Sequence, residues 1–136
     1  MSETFFLSNI CPQSPPLNRG IWLELENTIR NWVCEDSTLY IVDGPIFTKN
    51  DSKIGPNQIT IPSFYYKIVF YHKSSIYEVI GFIFPNSLCR MELKDCVYKV
   101  DDIEAFTGID FFPSLPDSIE NRIESHINLK FWHLGN

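Results

Sequence analysis

Glu26 and Arg30 lie four residues apart, acid before base, in a stretch where Ile21, Trp22, Leu25, Ile29, Trp32 and Val33 recur at helical spacing. That order favours an ion pair along one helix row, worth about 0.2–0.5 kcal/mol. Both residues fall at the edge of the apolar stripe, where half-buried polar ends need partners. Asn18 stands just ahead of the run, where an N-cap would sit. By residue type alone, the three are a helix cap and a charge pair. Lys49, Lys53, Lys67 and Lys73 face a single acid, Asp51, within residues 45–73. Such a local cationic excess could hold phosphate, although an ordinary solvated surface has the same composition.

The other chemically capable groups say less. Cys11, Cys34, Cys89 and Cys96 contain no Cys-x-x-Cys pair, which argues against a zinc site. They read as buried free thiols, with a local Cys89–Cys96 bridge left open. His72 reads as a strand-end residue, and His126 and His133 lie in the C-terminal tail.

The elements that must position these groups form a mixed series. Thr4–Leu7 is β-prone, and Pro12, Pro15 and Pro16 argue against regular structure through Leu17. The spacing predicts a helix over residues 18–33. Leu39–Val42 reads as a short strand stopped by Asp43-Gly44-Pro45, and residues 48–58 as a polar loop. Residues 64–72 and 76–84 read as central strands joined through Ser74-Ser75. A short strand is expected over 97–100 and a short helix over 101–106, ended by Gly108. A last helix opens at Pro116-Asp117 and runs to about Ser125. This order implies an α+β layer protein, and 136 residues fit a single domain over 1–136. Residues 101–124 carry seven acids and one base, the whole of the net charge of −6. No apolar run approaches the roughly 20 residues that span a membrane, and no basic stretch marks the N-terminus as a signal peptide.

One set of residues is far more specific. It runs from Thr4-Phe5 through Ser8-Asn9, Pro12-Gln13, Leu17-Asn18-Arg19-Gly20-Ile21-Trp22, Leu25-Glu26 and Arg30. It continues through Val42-Asp43-Gly44-Pro45, Ile61–Lys67, Val100–Glu104 and Thr107-Gly108. The pattern resembles the DNA/RNA non-specific endonuclease family, which includes endonuclease G, over about residues 4–120. The resemblance implies a ββα-metal (His-Me finger) fold with a mainly antiparallel central sheet flanked by helices. It implies Asn18 as the protein ligand of one Mg²⁺, with Mn²⁺ as the alternative ion. It implies Glu26 holding the metal's waters, Arg30 on a phosphate oxygen, and Asn9 and Gln13 supporting the site. Arg19 and Lys67 are further candidates for nucleic-acid contact. The implied partners are DNA and RNA without sequence preference, and several members of the family are dimers. Members occur in mitochondria, in periplasm and outside cells.

The sequence departs from the pattern at the general base. The family takes a proton from the attacking water with the histidine of an Asp-Arg-Gly-His motif, and these 136 residues contain none. The family often has a Met three residues before its Thr-Phe, as Met1 stands before Thr4. The resemblance thus implies a C-terminal portion with the N-terminal strands missing. Such a chain is expected to be poorly soluble or partner-dependent alone. Two readings follow: part of a metal-dependent, sugar-non-specific endonuclease, or a truncated, non-catalytic module that binds nucleic acid or pairs with an N-terminal fragment.

Overall fold

The computed structural model describes residues 10–33 and 38–134, so the expected strand at Thr4–Leu7, Asn9 and Cys34 lie outside the described residues. The predicted apolar stripe forms helix α2, Ile21–Trp32, with Ile21, Trp22, Leu25 and Ile29 buried. Its start differs from the expectation. Gly20, not Asn18, occupies the N-cap position, and Asn18 ends a separate one-turn helix α1, Pro15–Asn18. The prolines permit this helix because they stand in its first two positions, whose N–H groups have no intrahelical partner. Ser14 caps it, accepting from the Leu17 N–H at 3.3 Å. Gly20 is required at the junction, since a Cβ there would lie 2.5 Å from the Pro16 carbonyl oxygen.

The sheet is antiparallel. It comprises β1 (Thr38–Ile46), β4 (Phe64–Lys73), β5 (Ile76–Pro85) and β6 (Val97–Tyr98), in the order β1-β4-β5-β6. Strands β2 (Lys53–Ile54) and β3 (Ile59–Thr60) form a small hairpin inside the segment expected to be loop. Strand β1 does not stop at Asp43-Gly44-Pro45; it stays in register with β4 as far as Ile46 opposite Phe64. Proline is tolerated because β1 is an edge strand, where a missing N–H faces no neighbour among the described residues. Strands β4 and β5 are central and covered on both faces, as the unbroken apolar runs predict. Their hairpin turns at Ser74, which takes φ 57°. The short strand near 97 is only two residues long, because α3 (Val100–Thr107) starts earlier than expected. Gly108 ends α3 in the left-handed conformation, φ 72°. Helix α4 spans Asp117–Glu124, with Pro116 just before it.

Two cores result, one on each face of the sheet. On one face α2 packs Trp22, Leu25 and Ile29 onto Tyr65, Val69, Ile80, Phe82 and Phe84. On the other, α3 and α4 pack Val100, Ile103 and Ile123 onto Tyr66, Ile68, Phe70 and Ile83. Glu124 is carried into this second side and is only 6% exposed. Burial, then the nearby carboxylates of Glu104, Glu120, Asp101 and Asp110, push its pKa up to about 7. Cys96 is buried beside Cys89; burial and that neighbour push its thiol up to about 12, and Cys11, Cys89 and Cys96 are free.

Candidate functional site

The segment from Cys11 to Ser14 is tied down by groups far along the chain. Asn86, just after β5, accepts from the Ser14 N–H at 2.7 Å. Its amide nitrogen donates to the carbonyls of Pro12 at 3.0 Å and Pro62 at 2.9 Å. From β4, the Tyr65 hydroxyl donates to the Cys11 carbonyl at 3.1 Å. Burial, then the nearby Cys11, raises the Tyr65 phenol to about 12, so it remains a protonated donor. These four bonds fix Gln13 over the α2 face of the sheet.

Gln13 in turn fixes Asn18. The Asn18 amide nitrogen donates to Gln13 Oε1 at 2.7 Å. With its nitrogen committed, Asn18 presents its carbonyl oxygen, Oδ1, from an exposed position. A neutral amide oxygen is a suitable single protein ligand for Mg²⁺, a hard cation that keeps most of its waters.

Beside this pair opens a cleft of about 410 Å³ lined by Cys11, Gln13, Trp22, Asp43, Gly44, Pro45 and Tyr65. Lys67 lies by its wall. It is no surface lysine, being 5% exposed. Its ammonium stands 3.6 Å from Asp43 across the β1–β4 ladder and 4.2 Å from the centre of the Trp22 ring. The expected cationic surface thus loses Lys67, which is committed to a carboxylate and an aromatic face.

Along α2, Trp22, Glu26 and Arg30 occupy one row at four-residue spacing. Glu26 is half-buried and Arg30 exposed. The Glu26–Arg30 ion pair expected from spacing alone is not among the ion pairs of the described residues. Arg30 instead donates to Asn27 Oδ1 at 2.8 Å. Arg19 caps the end of α1 through its backbone and is exposed. The structure therefore joins Gln13, which lines the cleft, directly to Asn18, and places Glu26 and Arg30 on the row that continues from Trp22. Asn9 lies outside the described residues.

His72 is on the opposite face of the sheet from Lys67, five residues along β4. Its Nε2 is 2.9 Å from the Ser74 carbonyl oxygen, and its ring stacks on Tyr77 at 4.3 Å. His126 and His133 are exposed near the C-terminal end and do not line the cleft. Sequence reading missed Asn86 and the positioning part of Tyr65. An asparagine after a proline signals only a turn, and a tyrosine in an apolar strand signals only core.

The family model described as DNA/RNA non-specific endonuclease matches residues 1–118. The nuclease of Serratia marcescens is 32% identical over 127 residues, covering 88% of this chain and 47% of that protein. The mitochondrial nuclease EXOG of Danio rerio is 32% identical over 130 residues, covering 85% and 38%. Mitochondrial endonuclease G of Bos taurus is 28% identical over 128 residues, covering 85% and 43%. The chain thus spans less than half the length of these curated relatives. Among solved structures, a chain of the EndoG/EndoGI complex superposes with a TM-score of 0.72 at 22% identity, covering 86% of this chain and 54% of that one. That likeness shows the fold, α+β with an antiparallel sheet flanked by helices. Together with the family model, the matches show that the chain belongs to the DNA/RNA non-specific endonuclease family, whose members are metal-dependent nucleases.

Proposed function

We propose that residues 1–136 act as one unit, the metal- and phosphate-holding part of a sugar-non-specific endonuclease. The observation that carries this reading is the 2.7 Å hydrogen bond from Asn18 to Gln13, a residue of the cleft wall. Gln13 holds the Asn18 nitrogen, so Oδ1 is the ligand oxygen for one Mg²⁺, with Mn²⁺ as a substitute. A divalent ion bound there would neutralise the scissile phosphate and stabilise the leaving oxygen. Glu26 accepts hydrogen bonds from water beside that ion, and its half-burial keeps the carboxylate in place. Arg30, exposed at the end of the same helix, swings from Asn27 to a phosphate oxygen. Arg19 adds a second cation at the rim. Such a site reads phosphates rather than base edges, so DNA and RNA are both substrates.

Proton removal from the attacking water is a separate requirement. No histidine among the described residues lines the cleft, and His72 is across the sheet. This favours a second reading for the chain by itself: it binds nucleic acid in a metal-dependent way and cuts only when another segment supplies an imidazole. Two assays test the pair of readings. Fluorescence anisotropy with a labelled oligonucleotide should show Mg²⁺-dependent binding that EDTA and Asn18→Ala both abolish; binding indifferent to both would overturn the assignment. Nicking of supercoiled plasmid, with and without an added N-terminal family segment, separates the two. Nicking by the chain alone supports the first reading, and nicking only after addition supports the second.

A further inference from the structure

The opposite face of the sheet carries a cluster that the nuclease reading does not use. Asp101 and Glu104, on α3, and Glu124, at the end of α4, bring one carboxylate oxygen each to within 4.8 Å of one another. Asp101 is exposed, Glu104 half-buried and Glu124 buried at 6% exposure. Glu124 Oε1 is inaccessible to solvent and has no hydrogen-bond partner. Glu104 accepts from the Phe111 N–H at 2.9 Å through Oε1, which leaves its second oxygen available. The other charged groups near Glu124 are also acids, Glu120 and Asp110. Arg122, the sole base of residues 101–124, is turned away to the Tyr77 carbonyl at 3.4 Å. A buried carboxylate oxygen without a partner is costly, and a cation held between it and its two neighbouring carboxylates would offset that cost.

We propose that Asp101, Glu104 and Glu124 form a calcium-binding site that joins α3 to α4. The three oxygens lie within 4.8 Å of one another, and calcium, which takes six to eight oxygens at about 2.3–2.6 Å in flexible geometry, accepts such a loosely set trio more readily than magnesium, which demands near-ideal octahedral geometry. Calcium also accepts several carboxylates in irregular geometry and completes its shell with water, which the exposed Asp101 side admits. The site is distinct from Asn18, because α2 and the α3–α4 pair lie on opposite faces of the sheet. Its ligands sit in the segment that carries all of the chain's net charge, where a divalent ion relieves the largest self-repulsion.

The test is calcium titration of the whole chain, stripped of metal with a chelating resin, by calorimetry and by thermal unfolding. One ion should bind with a Kd of roughly 10⁻⁶ to 10⁻³ M and raise Tm. Glu124→Gln removes a buried charge and so should fold; it should weaken calcium binding about tenfold or more and lose the rise in Tm. Asp101→Asn should act in the same direction if Glu124→Gln folds poorly. Asn18→Ala should leave calcium binding unchanged. No binding by the wild-type chain, or binding lost in Asn18→Ala but kept in Glu124→Gln, would overturn the proposal. Loss of Mg²⁺-dependent oligonucleotide binding is read separately, so failure of either site is distinguishable.

Discussion

The two faces of the sheet solve opposite electrostatic problems. On the α2 face, Lys67, the one buried cation among the described residues, is matched by Asp43 and by the Trp22 ring, and the group offered to solvent is a neutral amide oxygen on Asn18. On the α3–α4 face, the buried group is Glu124, and its charged neighbours have the same sign. A site that brings an ion together with a phosphate keeps that ion's charge when its protein ligand is neutral. A site that holds an ion permanently can surround it with carboxylates. On the two proposals above, that difference would separate a working centre on the α2 face from a structural one on the α3–α4 face.

Substitutions on the two faces should therefore fail in different ways. The largest effect is expected from Asn18→Ala. In an assay with cleavage restored by an N-terminal segment, it should lower kcat by about 10²–10³ or more, with unfolding midpoints unchanged because Asn18 is exposed. A stability loss without loss of metal dependence would break the contrast. Next is Asn86→Ala, which deletes three bonds of 2.7–3.0 Å. It should cost about 2–3 kcal/mol in urea unfolding and also weaken oligonucleotide binding, since Gln13 is no longer held. Gly20→Ala forces a Cβ to 2.5 Å from the Pro16 carbonyl oxygen and should cost about 1–3 kcal/mol while displacing Asn18.

The parts of this site differ in how far the sequence reveals them. The α2 stripe, the Ser74-Ser75 hairpin and the Gly108 stop follow from local pattern, because each is decided by residues in one window. Asn18 and Gln13 were legible only as part of a spaced family pattern, and the hydrogen bond between them could not be read from either residue alone. Pro15-Pro16 and Asp43-Gly44-Pro45 misled for one reason: position overrides type. The prolines sit where a helix has no N–H to lose, and the second stretch is held straight by its register with β4. Asn86, Tyr65 and the burial of Lys67 depend on contacts between residues remote in sequence. Lys67 meets Trp22 and Asp43, 45 and 24 positions away, a distance no window reads.

The remaining contrast belongs to the acidic face and to pH. In chelator, Glu124 is protonated more readily in the folded chain, about 7, than in the unfolded chain, near 4.5. Its contribution is therefore favourable below about 4.5 and is lost as pH rises through about 7. Wild type should lose unfolding free energy over that window. Glu124→Gln should flatten this part of the profile and exceed wild type at pH 8. Equal slopes for the two proteins would show that Glu124 is not strained by its neighbours.

The central claim, that the Asn18 amide oxygen holds the ion, is most directly tested by nitrogen–proton NMR of the whole chain titrated with Mn²⁺ while calcium saturates the acidic face. Paramagnetic broadening should strike the side-chain amide signals of Asn18 and Gln13 first, and Asn18→Ala should remove the effect from Gln13. Unbroadened Asn18 and Gln13 amides, or broadening confined to residues 101–124, would contradict it.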